Sequence, residues 1–574
     1  MDFFHATFYD RYTALTEEQI RKKLAPRAKP DSAGPLWDGL DGQELCIRLD
    51  DGTSLLYRFG RDTLCLWENG KRCPDAPYGA LELNGTVLIS HMIPGTVRGC
   101  VIVLEQETKL ASFFDVWFCG FEPDKREVWR TVRFGYAEGT GEPPVRRHSL
   151  TNRIEGNGFY WVDDDGMRSL VFYPSVVWSS YVDLSDPRGG ITITAPSDYL
   201  RISERMYVYS RVEQEYSGSM TLEVLDLFTL RHIGLRLGFD LQDRLVYRLF
   251  RGEGERTGRC TNLELLTDTG KTIPYREEHL EKMKALGRGA RPSYRPRFMH
   301  PDYSQSQVDR IVRTNTRLFQ NASIMASRNT METTDALAGQ KMTLRYDDGT
   351  AVEYRFLDGT HLKWRLEGDS RWRQEAYEAT EPALDVFLFS HLCSGSSPLR
   401  CMTHAVDLSE GLATCIDACL GNGRKPWEVG HSALFGVVER KNGPEPPVTK
   451  RHGFTRDLLG KAFAWTYSDA MQSIHVYSTP ESYSWTVMLP GNTGGWMWSS
   501  PCLYVKLRED VYLVSWTEDA CNGNQGTFVL NMRIMHDSGF FFGIGESDGA
   551  PDLHLHAFGA LARPLAGFDL DRFF

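Results

Sequence analysis

The chain has 574 residues, 41% hydrophobic and 25% charged, with a formal net charge of −11 made of interspersed acidic and basic positions. That length exceeds one ordinary domain and supplies apolar mass for several cores, while the charge argues against nucleic acid or an anionic membrane as the main partner. No run approaches the roughly 18 apolar residues of a membrane span. The opening MDFFHATFYDRY lacks the basic and apolar regions of a secretory signal, so the expected compartment is the cytoplasm.

The first element expected is a short helix in TEEQIRKKLA, where Thr16 as N-cap and Gln19 form a capping box. From Trp37 onward the pattern is that of strands. CIRLD, SLLYRF, ITITA and YVKL alternate apolar and polar residues, and DDGT, LNGT, DPRGG and PGNTGG supply turns between them. The stretch from Tyr275 to about Gln320 mixes helical REEHLEKMKALG and QSQVDRIVRTNTRLF with basic, Pro-rich GRGARPSYRPRF, and reads as a linker. Twelve cysteines are scattered, many inside strand-like runs such as those of Cys46, Cys65, Cys100 and Cys119, and none forms a CxxC pair. They read as reduced buried thiols.

The chain is internally duplicated. WDGLDGQELCIRLDDGTSLLYRF, from Trp37, matches LAGQKMTLRYDDGTAVEYRF, from Leu337; GEPPVRRH ending at His148 answers PEPPVTKRH ending at His452; and FYWVDDDGM aligns without a gap on FAWTYSDAM. Each half divides again, because a strand, turn and Tyr-ended strand open at Leu45, Phe159, Met342 and Phe463. About a hundred residues per module hold some eight strands, the number that closes a small up-and-down barrel. The expectation is all-β: tandem small barrels, duplicated, with a few short helices. The modules are a helical segment 1–35, barrels over 36–140 and 149–255, a linker 256–334, and barrels over 335–440 and 450–574.

Phe463 to Glu518, with WTYSDAM, the strand through His475 and Tyr477, GGW at Trp496, YVKL and VYLVSWTE, resembles the phenolic acid decarboxylases. The whole half-repeat, from its DDGT opening to DLLGKAFAWTYSD, resembles the molybdenum cofactor biosynthesis protein F family. Both resemblances imply calycin-type (lipocalin-like) barrels. The first implies cofactor-free chemistry inside a barrel, with Tyr467 as one of two substrate-holding tyrosines and Glu518 as the proton-handling glutamate. The other tyrosine is replaced by Trp465 and the carboxylate-holding arginine by Gly495. Ordinary phenolic acid decarboxylation is therefore not expected.

Period-2 alternation extends this set. Inward Tyr467 and Glu518 carry Trp465 and Trp516 inward with them, and the alignment adds His475 and Tyr477. A carboxyl group in such an interior has a raised pKa and can act as general acid or base. Candidate catalytic residues are Glu518, Tyr467 and His475. Candidate substrate-binding residues are Trp465, Trp496, Trp516 and Tyr477, with Tyr346 and His391 in the third module, His91 in the first and Glu213 in the second. His91 and His391 equally suit hydrogen-bonded core positions, and Asp163-Asp164-Asp165-Gly166 reads as a turn rather than a calcium loop. His554 and His556 share a strand face without a third ligand assigned by spacing.

The function expected is a cofactor-independent, metal-free enzyme. It would transfer protons on an apolar or aromatic small molecule in a lyase, isomerase or cyclase step. Two rivals stand beside it: an enzyme that only orients a reactive substrate, and a non-catalytic carrier of a hydrophobic ligand. The expected partner is that small molecule, not nucleic acid or membrane, and self-association is left open.

Overall fold

A computed structural model describes residues 15–119, 127–139, 141–151, 153–174, 178–185, 192–213, 218–240, 244–260, 303–320, 327–423, 425–439, 445–468, 471–488, 496–518, 523–547 and 549–574. The strands of the described residues form four closed antiparallel barrels, each of eight strands. Barrel I runs from Glu44–Leu49 to Glu127–Ala137, barrel II from Asn157–Asp163 to Leu245–Arg259, barrel III from Lys341–Tyr346 to Val429–Val438 and barrel IV from Ala462–Ser468 to Ala550–Leu565. In each, first and last strands pair: Leu49 faces Gly135, Asp163 faces Gly252, Tyr346 faces Gly436 and Ala462 faces Leu565. Closure leaves no open edge.

The turns behave as their residues dictate. The DDGT hairpins of both halves hold Gly52 and Gly349 at φ of +88° and +91°, a region most side chains avoid. Strand pattern depends on what lies outside the barrel. Ser54–Phe59 buries alternate residues, whereas Thr86–Met92 is buried on both faces. Val87 and Ile89 fill the barrel I interior while Leu88 joins a second core shared with barrel II residues such as Leu222, Leu235 and Leu249. Barrels III and IV share an equivalent core that includes Leu388, Ile416, Leu503, Val529 and Leu555. The chain thus forms two compact units, one holding barrels I and II and the other barrels III and IV.

Among the described residues there are two α-helices, α1 (Glu17–Leu24) and α2 (Gln305–Thr314). Each begins at a capping box: Gln19 accepts from the Thr16 N–H and Gln307 from the Ser304 N–H, both at 2.8 Å. Each inserts two apolar residues, Ile20 and Leu24 or Val308 and Ile311, into its unit's shared core. Each is followed by a short strand, Asp31–Ser32 or Thr316–Leu318, added in parallel to the last strand of barrel II or IV. The duplication therefore reaches upstream of the barrels, and α2, which lies in the segment expected as a linker with helices, is the counterpart of α1 in the second repeat. The helix expected in REEHLEKMKALG lies outside the described residues.

Candidate functional site

Barrel IV gathers its sequence-predicted residues into one interior. Strand Ala462–Ser468 alternates Phe463, Trp465 and Tyr467 on the face that meets Ser473, His475 and Tyr477 of Met471–Thr479. Trp465 lies 5.8 Å from the His475 ring and Phe463 6.1 Å from Tyr477. Ser473 Oγ sits 2.9 Å from His475 Nε2 and 3.4 Å from the Tyr467 hydroxyl. Across the barrel, Trp516 stacks on Phe528 at 5.1 Å and donates its indole N–H to Glu518 Oε1 at 3.1 Å. The His554–His556 pair is folded into this lining, His556 lying 6.0 Å from Phe541. The side chain of Trp496 and the position of Gly495 lie outside the described residues.

Burial sets the electrostatics here. It depresses His475 to about 3, so the imidazole is neutral, and it pushes the Tyr467 phenol far above its ordinary range, with Asp537 and Glu518 adding to the effect. Asp537 is a residue that sequence reasoning missed. It is 3% exposed, and burial raises its carboxyl well above the ordinary range although the Ala560 N–H donates to it. The Asp537 carboxyl group stands close enough to Tyr467 to act on its phenol. The signal was present in HDSGFFF, since Asp537 and Phe541 fall on one face of a strand, but no motif marked it.

Barrel III holds a different arrangement. The Tyr346 hydroxyl meets His404 Nδ1 at 2.7 Å, His404 Nε2 meets the Tyr354 hydroxyl at 2.7 Å, and that hydroxyl meets His391 Nε2 at 3.0 Å. His391 Nδ1 ends the chain on the Leu392 carbonyl at 2.8 Å. Both imidazoles use both nitrogens, and burial depresses both pKa values, His391 to about 4. This is a hydrogen-bonded core, in line with the core alternative for His391. In barrel I, His91 keeps a longer 3.4 Å contact to Tyr57, and burial lowers it to about 4. Leu49 and Ile102 stand where barrel III has Tyr346 and His404.

Barrel II carries charge where barrel IV carries aromatic rings. Counting along the paired strands puts Asp163, Arg211, Glu223 and Arg236 at the positions of Tyr467, Trp516, Phe528 and Phe541, while Glu213 matches Glu518. His232 Nε2 lies 2.8 Å from Asp163 and its Nδ1 3.7 Å from Glu223. Arg211 reaches Glu223 at 3.3 Å and Glu213 at 3.5 Å. Arg236 pairs with Asp163, and with Asp165 at 2.5 Å. Burial disfavours a charged His232, but the two flanking carboxylates outweigh it and lift the ring to about 9. The turn expected at 163–166 forms, with Gly166 N–H on the Asp163 carbonyl, yet Asp163 also directs its carboxylate into this cluster. Sequence reasoning singled out Glu213 and missed Arg211, Glu223, His232 and Arg236, which come from three different strands.

Residues predicted as one family of sites therefore divide among four interiors, with Tyr467, His475, Glu518, Trp465, Trp516 and Tyr477 together in barrel IV. Residues 322–422 match the family model described as the MoaF N-terminal domain, and residues 452–567 match the MoaF C-terminal domain. The two matches fall on barrels III and IV. No curated protein matches the chain.

Proposed function

We propose, for a chain whose second half is a MoaF-like pair of barrels, that barrel IV binds an apolar or aromatic small molecule and moves a proton on it without a cofactor. The observation that carries this reading is the set of Asp537, Tyr467 and Glu518 inside an aromatic lining. A carboxylic acid kept protonated by burial is poised to donate. A second carboxyl group, held by the Trp516 N–H, is suited to receive a proton, and the Tyr467 phenol to hydrogen-bond a developing oxyanion. Neutral His475, tied to Ser473, holds that side of the lining in place. The reaction class is a lyase, isomerase or cyclase step on a substrate that needs no carboxylate clamp.

Two other readings share the same interior: a barrel that only orients a reactive substrate, and a barrel that carries a ligand unchanged. Mass spectrometry of the intact purified protein identifies a retained molecule, and its uptake of deuterium from solvent reports proton transfer. Glu518→Gln is expected to keep binding and lose at least a hundredfold in exchange or turnover. Unaltered exchange in Glu518→Gln overturns the acid/base role and leaves orientation alone. A wild-type protein that binds but neither exchanges nor converts its ligand is a carrier.

A further inference from the structure

One wall of the barrel IV interior keeps contact with solvent, and it is not the wall that carries Tyr467. Phe463, Trp465 and Tyr467 are at most 5% exposed. Phe541, 5.7 Å from Trp516, and His556, 6.1 Å from Phe558, point into the same interior, and alternation turns His554 inward with His556. These three side chains all remain part-exposed, His554 at 14%. They lie towards the end of the barrel at which Glu546 and Ala550 are exposed.

The strand beside His554 is cleared for its ring: a Cβ at Gly545 would stand 2.5 Å from His554 Nδ1 and Cε1. The two imidazoles are 5.0 Å apart. Among the described residues neither forms a hydrogen bond, and Asp552 Oδ1 stays 3.8 Å from His554 Nδ1. At the matching positions barrel II has Val246 and Arg248, and Arg248 turns to Asp165. The shared frame of the barrels therefore does not require the imidazole pair. Burial, with His554 adding to it and Asp552 opposing it, holds His556 down to about 3, so this ring is neutral. A cation placed beside it meets the same penalty. An anion finds no waiting partner: among the described residues alternation brings one basic side chain to the inward strand positions, Lys506, and Asp457 and Glu509 engage it at 2.7 and 2.8 Å. A neutral imidazole offers one N–H donor and one acceptor nitrogen. A hydroxyl group likewise donates and accepts, whereas a carbonyl serves the donor alone.

We propose that His554 and His556 form the specificity end of the barrel IV site, and that the apolar molecule bound there ends in a neutral hydroxyl group held by these two rings. Phe541 and Phe558 supply the apolar surface next to them. This inference rests on the reading of barrel IV as a binding interior and names the polar end of its substrate.

Four probes that share a phenyl ring and a short chain test this on the full-length protein: 2-phenylethanol (hydroxyl), propylbenzene (no polar group), phenylacetate (anion) and 2-phenylethylamine (cation). Saturation-transfer NMR titrations measure affinity, and the imidazole nitrogen resonances of His554 and His556 report where binding occurs. The alcohol is expected to shift both imidazoles and to bind about fivefold more tightly than propylbenzene, the value of one hydrogen bond. The two charged probes should bind roughly tenfold more weakly than the alcohol. His554→Phe and His556→Phe each keep a ring and remove its nitrogens. Each should bring the alcohol down to the affinity of propylbenzene, whose own unchanged binding shows that the variant is folded. Glu518→Gln removes proton exchange and leaves the preference for the alcohol intact, so the acid/base reading and this one fail separately. The inference is overturned if propylbenzene or either charged probe binds as well as the alcohol, or if none of the four binds. It is equally overturned if both folded variants keep the preference, or if saturating alcohol leaves the imidazole resonances of the wild type unmoved.

Discussion

Single residues in this protein do different work according to the barrel that buries them. Glu213 and Glu518 share a repeat position, yet one lies 3.5 Å from a guanidinium and the other accepts from an indole. Asp537 illustrates the cost of such placement. Its folded pKa is raised, so it favours the folded state only below its ordinary value of 3.8 and opposes folding once the unfolded chain ionises. Asp537→Asn should therefore raise stability at pH 7 by roughly 1–3 kcal/mol and change it little at pH 3, read from urea midpoints. Equal gains at both pH values would contradict the buried-acid assignment. His232 has the opposite surroundings. Its pKa rises from 6.5 to about 9 in the folded protein, so its contribution is complete below pH 6.5 and is lost as pH climbs through 9. The loss is on the order of 3 kcal/mol. His232→Gln should flatten the pH dependence of the urea midpoint between 6.5 and 9, and an unchanged slope would show that Asp163 and Glu223 do not hold the proton there.

At the scale of strands and barrels, duplication has kept the frame and varied the filling. His148 and His452 each place Nδ1 2.8 Å from a strand hydroxyl, Ser112 or Thr414, which explains why GEPPVRRH and PEPPVTKRH survive in both halves. Barrels I and III diverge more. Tyr354 bridges two imidazoles in barrel III, whereas Tyr57 makes a single 3.4 Å contact in barrel I. Tyr354→Phe leaves both His391 and His404 short of a partner and is expected to cost about 2–4 kcal/mol. Tyr57→Phe is expected to cost under about 1 kcal/mol. Chemical denaturation of the two variants, side by side, tests whether the relay in barrel III acts as one unit.

The whole molecule is organised by pairs of barrels. Leu503, Val505, Leu513, Val529, Leu553 and Leu555 point away from the barrel IV interior into the core shared with barrel III. A single barrel would expose that face to water and invite aggregation. A fragment of residues 303–574 should fold as a cooperative, soluble species, while residues 445–574 alone should aggregate or bind hydrophobic dye. Light scattering and urea unfolding distinguish the two, and a monodisperse, cooperatively folded barrel IV would show that the shared core is dispensable.

The amino-acid sequence alone determined the repeat, the all-β class and the closure into barrels. Those properties rest on local signals: period-2 alternation, DDGT turns and landmarks spaced alike in both halves. It also disclosed Tyr467, His475 and Glu518, because alternation fixes which residues of a strand share a face and the decarboxylase resemblance marked that strand. It did not disclose Asp537, Arg211, Glu223, His232 or Arg236. They are spread over four strands among ordinary alternation, and their meeting depends on how eight strands are staggered around a barrel. Nor did the sequence reveal that α2 repeats α1, since the likeness lies in a capping box, two buried residues and a parallel strand rather than in shared letters. Local periodicity is written along the chain, whereas the grouping of charges inside a barrel is set by closure and register, which only the tertiary structure decided.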